Sequence, residues 1–271
     1  MELFIQMPSS HTIDILDYFS NNYKDIETHS SGNDFKRFNS RILLAIYSEI
    51  TFPGLPIKID EMETHIFTSK LSEAWFAYET LLPIIENLGF ESEKPEKIKS
   101  FGSASTIQEA LSLHRNFASP GIPFGKASKF DDSRVTDAYL EYLMEESINE
   151  FRKSLRTILT TADSRDKIQT YLLHLEDNSL GMQKDLLLLS YNAITNSSST
   201  RPYQIMSIAY AVRNLYVHDG EISSSGIEDL DIKSTLLSAC FTFVSQFALI
   251  VATQMIIHTL EKEAQPEGQH T

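Results

Sequence analysis

Arg213, Asn214 and His218 are the residues in this chain whose types and spacing best support chemistry. Arginine presents a planar fork of donors that suits a phosphate. Histidine moves a proton near neutral pH. Asparagine orients an imidazole or a phosphate oxygen through its amide. Together they support attack of a ribose 2′-hydroxyl on the adjacent phosphorus without a metal. The imidazole would take or give the proton, and the guanidinium would stabilise the more negative phosphorus centre. One histidine leaves either the acid or the base missing. A two-fold dimer that sets two such helices side by side would supply the second.

The trio sits in an apolar, aromatic stretch, 205–218, that stops at Asp219-Gly220, a helix-ending dipeptide. Thr200 or Arg201 caps the expected helix, with Pro202 in its first turn. At about 100° per residue, Ile205, Ile208, Ala209, Val212, Leu215 and Tyr216 form a core-facing stripe. Asn214 and His218 are four residues apart and share a face nearly opposite that stripe. Tyr203, Ser207 and Tyr210 fall on the same face, which marks them as RNA-contacting or dimer-face residues. Arg213 lies roughly 140° from His218 around the wheel. A site built from one helix is therefore expected to be incomplete.

The rest of the chain reads as helices, with no strand run, no repeat and no useful heptad, so the expected fold is all-α. Helical spacing covers 11–23, a segment capped by Asp34 through Tyr47, and a long helix over 60–88 that Pro83 should kink or divide. Lys36, Arg37 and Arg41 make the second of these basic at its start. Trp75, Tyr78 and Glu79 read as core and rim. A shorter helix is expected over 105–118, and the Pro- and Gly-rich 119–131 as a linker. Long amphipathic segments follow over 132–162, 163–175 and 182–194, with a final helix over 228–263. The organisation is thus an N-terminal helical region 1–118, the linker, a helical bundle 132–264 and a frayed tail 265–271.

The formal net charge of −14 argues against broad nonspecific nucleic-acid binding but leaves room for a local basic cleft. The single cysteine, Cys240, sits in an apolar run and builds neither a disulfide framework nor a thiolate zinc site. The other histidines show no metal-ligand spacing. There is no Walker loop, dinucleotide fingerprint or Gly-x-Ser-x-Gly elbow, so no metal and no cofactor are expected. Residues 234–260 hold 27 residues without Asp, Glu, Lys or Arg, long enough to span a bilayer. Interruptions such as Ser238, Gln246, Thr253 and Gln254, and flanks without a basic cluster, favour a buried helix and no membrane. No signal peptide is evident, and a cytoplasmic location is expected.

The run Arg213-Asn214-Leu215-Tyr216-Val217-His218 resembles the signature of the HEPN superfamily, Arg followed by four to six residues and His, often with Asn directly after the Arg. The resemblance covers about 132–264. It implies a homodimeric helical bundle and, in many members, metal-independent endoribonuclease activity in toxin or antiviral defence systems. Arg213, Asn214 and His218 would then be the catalytic trio, RNA the substrate, and a regulatory protein a candidate partner. Members silenced by a nucleotidyltransferase antitoxin carry Tyr two residues after the His. Gly220 stands there in this chain. Other members keep the fold as an inert interaction module, so both readings stay open.

Overall fold

The computed structural model describes residues 8–52, 58–87, 138–180, 182–194, 200, 202–222 and 224–264. Among them the secondary structure is all helical: α1 Ser10–Glu27, α2 Gly32–Tyr47, α3 Ile59–Asn87, α4 Ala138–Ile158, α5 Ala162–Asp177, α6 Met182–Ile194, α7 Pro202–Val217 and α8 Leu230–Glu263. The expected helix 105–118, linker 119–131 and tail 265–271 lie outside the described residues.

Local chemistry explains several of the helix starts. The Ser9 side chain accepts from Thr12 N at 3.2 Å and caps α1. Thr161 does the same for α5, accepting from Ser164 N at 3.0 Å. Asp229 caps α8 through Oδ1 and Ile232 N, at 3.2 Å. α2 begins at Gly32 rather than after Asp34. A Cβ at Gly32 would lie 2.5 Å from the Ile26 carbonyl, so only glycine lets α2 start against the end of α1. Ser31 makes no side-chain cap there. Its hydroxyl instead bonds Glu263 at the end of α8, at 2.6 Å. α3 runs through Pro83 to Asn87 as one helix, against the expected division.

α8 is the axis. It packs most extensively on α3, and also against α1, α2, α4, α5 and α7. A helix enclosed on all sides needs apolar residues all round, which is why 234–260 carries no charge. Some of its polar groups find partners inside the protein, whereas Ser245 Oγ and Gln246 Oε1 are buried without one. Gln246 donates to Thr12 Oγ1 at 2.9 Å and to Glu150 Oε2 at 2.6 Å, tying α8 to α1 and α4. Thr253 and Thr259 hydroxyls donate to the carbonyls four residues back. By length and composition α8 is the one described helix able to cross a membrane, yet here it is mostly buried in protein.

α1–α3 and α4–α8 share one hydrophobic cluster, including Phe19, Phe38, Trp75, Phe151, Phe243 and Phe247. Burying each such side chain is worth about 1.5–3 kcal/mol. The described N-terminal helices are therefore built into the same core as α7, and α3 packs directly on α7.

Candidate functional site

α7 opens on Pro202, whose missing N–H removes no helical bond at that position. His218 lies just beyond the last helical residue and still donates its N–H to Asn214 O at 2.8 Å. Glu221 N then reaches back to Leu215 O at 3.0 Å. Gly220, at φ +66°, supplies the left-handed residue that this turn requires. His218 is thus held at an exposed corner.

Arg213 Nη1 stands 2.9 Å from Asn214 Oδ1 and 2.7 Å from His218 Nε2. The guanidinium can only donate, so Nε2 accepts and the imidazole proton sits on Nδ1. This corrects the wheel reading, in which Arg213 stood apart from His218. His218 is past the helix end, and the long arginine arm folds over to reach it. One chain brings the whole trio together.

The guanidinium has further partners on α3. Its Cζ lies 4.7 Å from the Phe76 ring centre. Nη2 is 3.6 Å from Glu79 Oε2, and Glu79 Oε1 accepts from Trp75 Nε1 at 3.0 Å. The Arg213 side chain is 11% exposed and that of Glu79 23%. Arg213 Nε is buried with no hydrogen-bond partner. Phe76 and Glu79 belong to the site's surroundings; the sequence reading places Glu79 in core and rim and gives Phe76 no role. No sequence signal marks them, because the contact is tertiary. The Tyr210 hydroxyl bonds the Asn214 side chain. Burial raises its pKa above the usual value, while that bond and Arg213 oppose the rise.

Two expected surface contacts are inside the protein. Ser207 is 0% exposed, bonded to Ser190 Oγ at 3.0 Å and Gln204 O at 2.8 Å. Tyr210 is 3% exposed, its ring 5.2 Å from that of Trp75. Neither is open to RNA or to a second subunit. The wheel gave α7 one core face, but α6 covers the Ser207 side and α3 the Tyr210 side. The side chain of Tyr203 lies outside the described residues.

The connection that follows His218 is fastened from below. Glu221 lies 3.2 Å from His174 Nε2 on α5. Lys167 bridges Asp163 at 2.7 Å and Asp229 at 3.0 Å, which holds the Asp229 carboxyl below its usual pKa. Gly226, at φ +80°, lies flush on the His174 ring. Lys233, buried in the first turn of α8, donates to Ser225 O at 2.5 Å and stands 4.7 Å from the Tyr171 ring centre. Burial pulls this amine down to about 8, with Glu221 opposing the shift. A small cavity lined by Thr68, Tyr171, Leu215, Glu221 and Lys233 lies beneath the connection. Among the described residues no three of His, Cys, Asp and Glu gather as a metal site.

The chain matches no protein-family model, no curated protein and no solved structure.

Proposed function

We propose that this chain is a metal-independent endoribonuclease of HEPN type, with Arg213 and His218 as the reacting pair and Asn214 as their orienting partner. The observation that carries the reading is the 2.7 Å contact between Arg213 Nη1 and His218 Nε2 at an exposed corner. A phosphate oxygen entering between them takes over the guanidinium donors and frees Nε2. The imidazole then accepts the 2′-hydroxyl proton as the 2′-oxygen bonds to phosphorus. The bond from phosphorus to the 5′-oxygen breaks, and that oxygen leaves with a proton from an imidazolium. The products are a 2′,3′-cyclic phosphate and a 5′-hydroxyl. His218 of a second copy supplies the acid, so a homodimer belongs to the proposal. The family resemblance extends it to a toxin or antiviral defence role in the cytoplasm, with a regulatory protein as partner.

A non-catalytic scaffold is the second reading. The stacking of Arg213 on Phe76 and its low exposure favour it, since both suit a structural guanidinium. Pure protein incubated with mixed RNA in chelator separates the two. The ribonuclease reading expects cleavage that His218→Ala abolishes while the fold persists. Intact RNA with the folded wild type, or undiminished cleavage by His218→Ala, removes it.

A further inference from the structure

The candidate site continues along α3 to a second arginine. His65, Ser69, Glu73, Phe76 and Glu79 recur at helical spacing and lie on one face of α3. Arg41 from α2 places its Cζ 5.3 Å from the centre of the same Phe76 ring that Arg213 approaches at 4.7 Å. The two guanidinium carbons are therefore no more than 10 Å apart. Each is steadied by a carboxylate of this face. Arg41 Nη1 is 2.9 Å from Glu73 Oε2, and Arg213 Nη2 is 3.6 Å from Glu79 Oε2. Arg41 thus commits one of its five donors to an ion pair and keeps 37% side-chain exposure. Arg37, exposed, sits one turn before it on α2.

Toward the start of α3 the same face becomes aromatic. The His65 ring meets Phe52 at 5.2 Å and Tyr216 at 5.8 Å, both edge-on. Ser69 bonds the Tyr216 hydroxyl at 3.1 Å. α2 and α7 both pack on α3, and each lays an arginine against the Phe76 ring of this face. All of these side chains are part-exposed.

We propose that this face is a groove for a single strand of nucleic acid, with Arg41 and Arg213 holding nearby phosphates and the Phe52–His65–Tyr216 row meeting the bases. Single strands are bound where cationic contacts track the backbone and aromatic side chains take the bases. A strand carries a phosphate about every 3.4 Å along a stacked helix, so two guanidinium groups this close can share one strand. The net charge of −14 opposes broad nonspecific binding of a polyanion, so affinity must come from local contacts such as these. An acidic peptide would satisfy the arginines but leave the aromatic row without partners. The proposal rests on the ribonuclease reading for the identity of the sugar alone.

The test uses the full chain and a fluorescent oligodeoxythymidylate, which has no 2′-hydroxyl to react, read by anisotropy over a range of salt. Wild type binds. Arg41→Ala weakens binding roughly three- to tenfold and lowers the slope of log affinity against log salt by about 0.7. Arg41→Lys recovers most of the slope, and Lys184→Ala on α6 changes neither quantity. Circular dichroism checks that each variant is folded. Absence of binding by wild type, or wild-type affinity and slope in a folded Arg41→Ala, overturns the groove. So does polyglutamate that binds with Arg41 dependence while the oligonucleotide does not, since that identifies an acidic protein partner. Arg41-dependent binding by a protein that leaves RNA intact in chelator keeps the groove and removes the ribonuclease. RNA cleavage that requires His218 but ignores Arg41 in both binding and slope does the reverse.

Discussion

Replacing Lys233 by methionine tests the reasoning about the connection that carries His218. Lys233 is 2% exposed, and its amine is pulled from about 10.5 down to about 8 by burial. Folded protein releases this proton near pH 8, whereas the unfolded chain keeps it to about pH 10.4. Between those values the unfolded state binds more protons, so stability rises with pH. Below pH 8 the cost of burying the charge is fully present. Linkage over this window gives a rise of about 2 kcal/mol between pH 7.5 and 9.5. Lys233→Met keeps the shape of the side chain and removes the titration. Its constant offset from wild type also contains the lost bond to Ser225 O, so the slope is the quantity to read. Cys240 and Tyr171, both raised by burial, titrate at higher pH and act in the opposite direction. They are common to both proteins and cancel in the difference. The assay is urea unfolding of both proteins at four pH values from 7.5 to 9.5. Wild type should gain about 2 kcal/mol on the variant across the series. Parallel curves would refute the claim that a charged amine is buried there.

Gly226→Ala should cost about 2–4 kcal/mol in urea unfolding, because its Cβ would meet His174 Cδ2 at 2.5 Å on top of φ +80°. Gly220→Ala, at φ +66° with open space around it, should cost only about 1–2 kcal/mol, and equal costs would contradict the packing of the connection on His174. Arg213→Ala leaves Glu79 with Trp75 as its remaining anchor and should destabilise by about 1–3 kcal/mol. A double-mutant cycle with Glu79→Gln should return a coupling of about 1 kcal/mol, and a coupling of zero would show that the 3.6 Å pair is not felt.

The all-α class was legible because helical spacing of apolar residues is local information. The starts of α5 and α7 and the extent of α6 also follow from local signals. α8 shows where that logic weakens. A charge-free run by itself reads alike as a membrane span or an enclosed core helix; its polar interruptions favour the latter, and only the surrounding helices show how much of it is buried. α7 failed in the same way. A wheel measures direction from one axis and cannot say that α6 and α3 cover two different sides, so Ser207 and Tyr210 were placed outward. The trio itself was legible from residue type and spacing. Its closure within one chain was not, because the reach of an arginine arm across a helix end is invisible on a wheel. Phe76, Glu79 and Arg41 lie more than 130 residues away in sequence from Arg213 and join it through the packing of α2 and α3.

The ends left on RNA report whether the Arg213–His218 pair cleaves it by 2′-hydroxyl attack. Pure wild-type protein is incubated with RNA in chelator, and the fragments are read by mass spectrometry, with His218→Ala beside it. The expected ends are a 2′,3′-cyclic phosphate or its hydrolysis product opposite a 5′-hydroxyl, with no cleavage of fully 2′-O-methylated RNA and no product from the variant. Intact RNA, fragments ending in a 3′-hydroxyl, or cleavage of the methylated strand would contradict this mechanism.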